Sequence, residues 1–107
     1  MCIRDRWYVQ QFARFLEKLE KTRDLDGNSV LHNSMIVYGS GNADGNRHSH
    51  DNLPMLLAGS GGGTLNPGRY VRHNGKPATN MYLALAHRAG VRSVERFGDS
   101  TGPLADL

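Results

Sequence analysis

The chain has 107 residues, which suits one small domain or one piece of a larger domain. Apolar residues make up 38% of it, below the ~45–50% typical of globular chains, so a self-sufficient core is not expected. The formal charge of +3 is spread without a run of like charges, which disfavours nucleic-acid binding, and no apolar stretch is long enough to span a bilayer.

The amino-terminal segment divides into two parts. Residues 1–6 lack helical apolar spacing and are expected to be a non-native leader. Their one cysteine, Cys2, excludes an internal disulfide and a multi-cysteine zinc site. A core-facing helix is predicted over residues 7–22, because apolar residues recur there at spacings of three and four. These residues are Val9, Phe12, Phe15, Leu16 and Leu19.

Two short apolar runs predict strands over residues 35–39 and 54–59. Runs that are apolar at successive positions are typical of buried strands in parallel sheets. A third strand, over residues 69–73, is a weaker candidate for an edge position, because it follows a turn signal at Asn66-Pro67-Gly68. The glycine-rich residues 60–63 fit either a loop at the edge of a substrate site or a flexible connector, and the connector is the simpler interpretation.

The carboxyl-terminal part predicts a second helix over residues 79–89. Thr79 is a good N-cap residue, and Gly90 suits the left-handed position that follows a helix end. The predicted buried side contains Met81, Tyr82, Leu85 and Ala89. The polar tail that follows, anchored by one aromatic residue, is expected to fold back over the loop between the two main strands.

That loop carries the residues whose side chains could bind a metal ion. Imidazole and carboxylate groups are the usual ligands of Zn, Mn and Fe, and ligands in open α/β sheets bind at the carboxyl ends of strands. The candidate metal ligands are His50, His48, Asp44 and Asp51. A solvated turn that happens to be rich in His and Asp is the alternative interpretation, because local spacing alone is a weak metal signal.

The same loop offers groups that could hold an anion. Arg47 suits a bidentate contact with phosphate, sulfate or carboxylate, and glycines let a ligand approach the main chain closely. The candidate anion-binding residues are Arg47, Asn46, Gly39, Ser40 and Gly41. Neither the Walker pattern nor the dinucleotide fingerprint is present. No catalytic residue is assigned, because no base lies beside Ser100 and no nucleophile elbow is found.

Five blocks of sequence together form a specific pattern. They are Asn33-Ser-Met-Ile-Val-Tyr-Gly-Ser-Gly, Asp44-Gly-Asn-Arg-His-Ser-His-Asp-Asn-Leu-Pro, Leu57-Ala-Gly-Ser-Gly-Gly-Gly-Thr, Thr79-Asn-Met-Tyr-Leu and Arg96-Phe-Gly-Asp-Ser-Thr-Gly. This combination resembles the carboxyl-terminal part of the bacterial DUF1552 family, which is also known by an HxxSHH motif. The resemblance covers residues 7–107, and the HxxSHH motif itself would lie upstream.

The DUF1552 family in turn resembles the alkaline-phosphatase and sulfatase-like superfamily and its DUF1501 relatives. The resemblance implies an α/β fold in which residues 7–107 form a carboxyl-terminal fragment of an alkaline-phosphatase-like sheet. It implies a periplasmic or secreted parent protein, with the remainder of the domain upstream as a partner. It also implies a divalent metal (Zn, Mn, Fe or Ca), with His50 best matching the histidine of the related loop. Here the first strand ends in Gly39-Ser40-Gly41, where related proteins carry an Asp-His ligand pair.

Two functions are compatible with this resemblance, since the activity of the family is not established. One is a metal-dependent hydrolase of phosphate or sulfate esters, in which Arg47 grips the anion beside the metal. The other is a non-catalytic protein that uses the loop to bind a small molecule, a cell-envelope glycan or a partner protein. The density of ligand-type residues favours the first, and the missing Asp-His pair favours the second.

Overall fold

A computed structural model describes residues 2–107. The elements, in chain order, are helix α1 (Cys2–Lys21), strand β1 (Ile36–Gly39), strand β2 (Met55–Ala58), a single 3-10 turn (Gly61–Gly63) and helix α2 (Thr79–Arg88). The predicted mixed α/β fold with few short strands is confirmed. Both strand predictions agree with the structure within one residue at each end.

The two strands form an antiparallel pair, so the expectation of a parallel sheet was wrong. Val37 lies opposite Leu57, and Ile36 lies opposite Ala58. A parallel pair needs a crossover connection that is usually a helix, whereas residues 40–54 return directly from β1 to β2 as a hairpin loop. The loop therefore follows the carboxyl end of β1 and precedes the amino end of β2.

The third predicted strand, over residues 69–73, is not formed. A turn at Pro67 and Gly68, where Gly68 has φ +80°, leads into this segment. Arg69 folds back locally, since its Nε–H donates to the carbonyl of Asn66 over 2.8 Å. In the described part of the chain the segment pairs with neither strand. The turn signal at Asn66-Pro67-Gly68 suggested that a strand follows, but the backbone has no neighbour there to complete a ladder.

Helix α1 begins five residues ahead of the predicted start, because nothing in the leader breaks a helix. Its contact with the sheet is a stack of Phe12 on Tyr38, with ring centroids 4.8 Å apart. Val9 and Phe15, which belong to the predicted core-facing stripe, remain 46% and 48% exposed. The periodicity correctly predicted the helix, but the structure covers only part of its apolar face.

The core lies between α2, the carboxyl-terminal tail and one face of the hairpin. Met81, Ala84 and Leu104 form its buried cluster, and Val37 and Met55 of the strands pack against it. Since Tyr38 meets α1 on the opposite face, the hairpin lies between the two helices. Among the described residues few apolar side chains are buried, as the low apolar content predicts.

Hydrogen bonds explain where α2 begins and ends. Ala78, not Thr79, occupies the N-cap position, and the Thr79 hydroxyl instead donates to the Asp99 carboxylate over 2.6 Å. At the other end Gly90 adopts φ +94°, as predicted. The N–H of Gly90 donates to His87 O, and the N–H of Val91 donates to Ala86 O, which together form a Schellman motif.

The tail folds over the start of α2, not over the hairpin loop as expected. The buried side chain of Asn80 holds it there: its Nδ2 donates to Thr101 Oγ1 over 3.0 Å, and its Oδ1 accepts the N–H of Thr101 over 2.8 Å. The carbonyl of Asn80 also accepts the N–H of Leu104. A polar residue thus fixes the tail above the core.

The glycine-rich segment after β2 is docked on the rest of the chain, so it is not a flexible connector. The N–H of Gly61 donates to Ser34 O over 3.0 Å, and the N–H of Gly62 donates to His32 O over 2.9 Å. Gly59, at φ +92°, lies so close to the carbonyl of Ser34 that a Cβ would overlap it. Glycine is required here by backbone packing.

Candidate functional site

The hairpin loop is built around a tight turn centred on Asp44. The N–H of Ala43 donates to Ser49 O over 2.8 Å, which brings the two sides of the turn together. The Asp44 carboxylate accepts the backbone N–H groups of Asn46 and Arg47, at 2.9 and 3.3 Å. An aspartate that bonds its own backbone in this way stabilises a turn. The residue predicted as a metal ligand is therefore engaged in shaping the loop.

His50 is held in one orientation by the opposite side of the loop. Its Nδ1 lies 2.7 Å from the carbonyl oxygen of Gly41. Because a carbonyl oxygen only accepts hydrogen bonds, Nδ1 carries the proton, and in the neutral ring Nε2 keeps its lone pair. The side chain is exposed, and it contributes to the wall of the cavity described below. A backbone carbonyl on one ring nitrogen is the usual arrangement that fixes the other nitrogen for a ligand.

The other predicted metal ligands do not join His50. His48 is exposed and adopts φ +53° in the turn, and Asp51 is also exposed. Across residues 2–107 the structure brings no three His, Cys, Asp or Glu side chains together in a group that could hold a metal ion. The four candidates therefore occupy one loop without forming one ligand set inside the described chain.

The predicted anion-binding residues divide in the same way. Arg47 extends into solvent, with Nε 3.9 Å from Asp44 Oδ2 and its side chain 83% exposed. Ser40 is used internally, because its Oγ accepts the N–H of Asn42 and its own N–H donates to Pro54 O. A Cβ on Gly39 would overlap Met55, so that glycine serves strand packing. Arg47 remains exposed to a ligand, whereas the carbonyl of Gly41 is already bonded to the His50 ring.

A cavity of about 810 Å³ begins at the loop and runs beside β2. His50, Asp51 and Asn52 lie at the loop end, and residues 65–71 form much of the wall opposite β2. Further charged and titratable side chains around it are Arg69, His73, Lys76 and Asp99. Its size is within the range of ligand pockets, which are typically ~300–1,000 Å³.

Sequence reasoning did not identify this cavity. Arg69 and His73 were assigned to an edge strand, although both contact the tail. His73 Nε2 lies 3.6 Å from Asp106 Oδ1, and Arg69 donates to the carbonyl of Asp106. The local signal for these contacts was two basic residues, Arg69 and His73, that follow the turn at Pro67 and Gly68. Their partner, Asp106, lies far along the chain.

Comparison of the chain with protein-family models, curated proteins and solved structures finds no match. Among residues 2–107, no helix combines the length and apolar character needed to cross a bilayer. The geometry of the loop and of the cavity is therefore the basis for a functional assignment.

Proposed function

We propose that this chain is the carboxyl-terminal segment of a longer, exported, alkaline-phosphatase-like protein of the DUF1552 type. Within it, the hairpin loop supplies His50 to a metal-dependent site that acts on phosphate or sulfate esters. The remaining ligands come from the upstream part of the same domain. His50 would be one ligand of a divalent metal there, and such a metal would supply Lewis-acid polarisation of the ester and activation of water.

The observation that carries this proposal is the fixed His50 ring. The bond from Nδ1 to the Gly41 carbonyl leaves Nε2 as a lone-pair donor at an exposed position. Arg47, on the same loop and mostly exposed, supplies a cation that suits a phosphate or sulfate group. One oriented imidazole and one mostly exposed guanidinium, which is only loosely paired with Asp44, fit a site that is completed by other residues.

The surface of the chain supports a longer parent. Its accessible area is 7,988 Å², whereas a compact monomer of 11.8 kDa exposes about 5,900 Å². The radius of gyration of 15.1 Å also exceeds the ~13 Å expected for a compact domain of this length. About 2,000 Å² of additional surface is of the order that obligate interfaces bury.

A non-catalytic binding role is the second candidate, and one observation favours it. The Asp44 carboxylate is satisfied by the backbone of its own turn, which removes one acid from a ligand set. In this role the loop offers Arg47 and His50 to a small acidic molecule, to a cell-envelope glycan or to a partner protein.

The test is the metal content of the longer protein, purified without chelators or metal-binding tags, and of two variants. His50→Ala is expected to lower bound Zn, Mn, Fe or Ca at least about tenfold, since loss of metal-site groups costs ~10–100-fold in affinity. His48→Ala is the matched control, because His48 lies in the same exposed loop without the bond to Gly41, and its metal content should be unchanged. A folded, metal-free parent protein would contradict the hydrolase proposal and support the binding role.

A further inference from the structure

We infer that the groove beside β2 receives an extended strand of the longer polypeptide, which pairs with the outer edge of β2. This inference rests on the proposal that the chain is part of a longer protein. It specifies that an extended segment docks beside β2 and that it bonds to the outward backbone groups of that strand.

The hydrogen-bond pattern of the hairpin shows which backbone groups of β2 face away from β1. The N–H of Ser40 donates to Pro54 O over 3.3 Å, so these two residues form a bonded pair of the antiparallel ladder. Bonded and non-bonded pairs alternate along such a ladder. Leu56 and Ala58 therefore bond to β1, and the N–H and C=O groups of Met55 and Leu57 point away from it.

These outward groups lack partners within residues 2–107. A row of unpaired main-chain donors and acceptors on a strand edge is a template for another strand. A strand that covered this edge would remove water from these groups and replace it with main-chain hydrogen bonds. The edge of β2 is thus complementary to an extended backbone.

The cavity has the position and shape that such a strand needs. It is lined by Met55, Leu56 and Leu57 of β2 and by no residue of β1, so it follows the outer edge of β2. Residues 65–71 form a second wall, and Met81 and Leu104 contribute apolar surface from the core. The four residues Met55–Ala58 extend over about 13 Å, which matches a short strand with apolar side chains facing α2.

Two walls favour a single strand over a second copy of this chain. A second copy would bring β1 together with β2 into a groove that residues 65–71 also line. A lone extended segment needs only the space between the walls. It would use main-chain hydrogen bonds for affinity and alternate side chains for specificity.

One end of the docked strand lies beside His50, because the groove begins at His50, Asp51 and Asn52. The residues that continue from that end are therefore close to the imidazole. Strand docking would place ligand-type side chains from another part of the polypeptide next to the hairpin loop. The same contact that covers the open edge would complete the proposed metal site.

Amide hydrogen exchange, measured by NMR on this chain alone and on the longer protein, tests the inference. In the chain alone, the amides of Leu56 and Ala58 should exchange slowly and those of Met55 and Leu57 quickly, since only the first pair is bonded to β1. In the longer protein the exchange at Met55 and Leu57 should slow by about a hundredfold or more, as expected for amides that open only with their sheet.

Rapid exchange at Met55 and Leu57 in the longer protein, with Leu56 and Ala58 still protected, would overturn the inference. The metal measurement on the same sample is independent of this outcome. Stoichiometric metal with an open β2 edge would leave the proposed function standing and remove only the strand. Protected amides at Met55 and Leu57 in a metal-free protein would support strand docking and contradict the proposed function.

A pair of variants gives a second readout. Leu57→Pro removes the side chain and the outward N–H, whereas Leu57→Ala removes the side chain alone. The extra loss of thermal stability in the proline variant should be larger in the longer protein than in this chain, because only there is the N–H bonded. An equal difference in both proteins would contradict strand docking.

Discussion

The two helices of this chain have comparable sequence signals but different surroundings. In α2, Leu83 and Ala84 are completely buried, and Asn80 fixes the tail across the helix start. In α1, none of residues 3–21 is buried, and Phe15 is 48% exposed. One helix is the centre of the core, whereas the other touches the hairpin mainly through Phe12 and Tyr38.

The difference shows what amphipathic periodicity does and does not determine. The spacing of apolar residues predicts which face of a helix will be buried. The surface that buries this face must be supplied by other elements. Around α2 the tail and the strands supply it. Around α1 the chain supplies only part of it, which agrees with the proposal that the chain belongs to a longer protein.

The largest contrast should come from truncating one apolar side chain in each helix. Leu83→Ala removes a side chain that is 0% exposed, and the expected loss is ~2–5 kcal/mol. Phe15→Ala removes a half-exposed ring, and the expected loss is ~1 kcal/mol or less. Hydrogen exchange of the α2 amides, with and without denaturant, measures both. Equal losses would contradict the assignment of the core to α2.

A smaller contrast is expected between Gly59, just after β2, and Gly41, in the hairpin loop. Gly59→Ala places a Cβ against the Ser34 carbonyl at φ +92°, and such strained positions cost ~1–3 kcal/mol. Gly41→Ala meets no atom within 4 Å, and its φ is not in the left-handed region, so little change is expected. The midpoint of urea unfolding, followed by circular dichroism, compares the two variants. If Gly41→Ala were the more harmful, the docking of residues 59–62 on residues 32–34 would be wrong.

The sequence was sufficient for elements whose causes are local. The apolar runs predicted both strands, and Gly90 predicted the end of α2. It was insufficient where distant residues decide. Thr79 has the chemistry of an N-cap, yet Asp99 captures its hydroxyl. The predicted buried side of α2 included Tyr82, which is 39% exposed, and omitted Leu83, which is completely buried.

The same division applies to the candidate site. Composition identified the hairpin loop, but it could not show that Asp44 is used by its own turn or that Gly41 orients His50. Both depend on hydrogen-bond partners across the loop. The cavity beside β2 was missed because its walls come from segments far apart in the sequence. Whether the loop binds metal remains a prediction.

The smallest expected effect concerns the turn that joins α1 to the hairpin, and it appears only in acid. Hydrogen bonds from the Asn33 side chain and then from Asn28 hold the pKa of Asp26 below its ordinary value. A carboxyl with a lowered folded-state pKa stabilises the fold above its unfolded pKa of about 4, and this contribution is lost as pH falls through the folded value. Asn33→Ala should move the pKa of Asp26 back towards its ordinary value.

Carboxyl carbon chemical shifts, followed by NMR as the pH is lowered, measure this change directly. Lys21→Met is the matched control, because the Lys21 ammonium, through its hydrogen bond to Glu17, lowers the pKa of that carboxyl instead. Each variant should therefore raise one pKa and leave the other unchanged. An unchanged pKa of Asp26 in Asn33→Ala would show that the turn is held differently. Because these groups are exposed, the effect should stay far below that of Leu83→Ala, which places the stability of the chain in α2 and its tail.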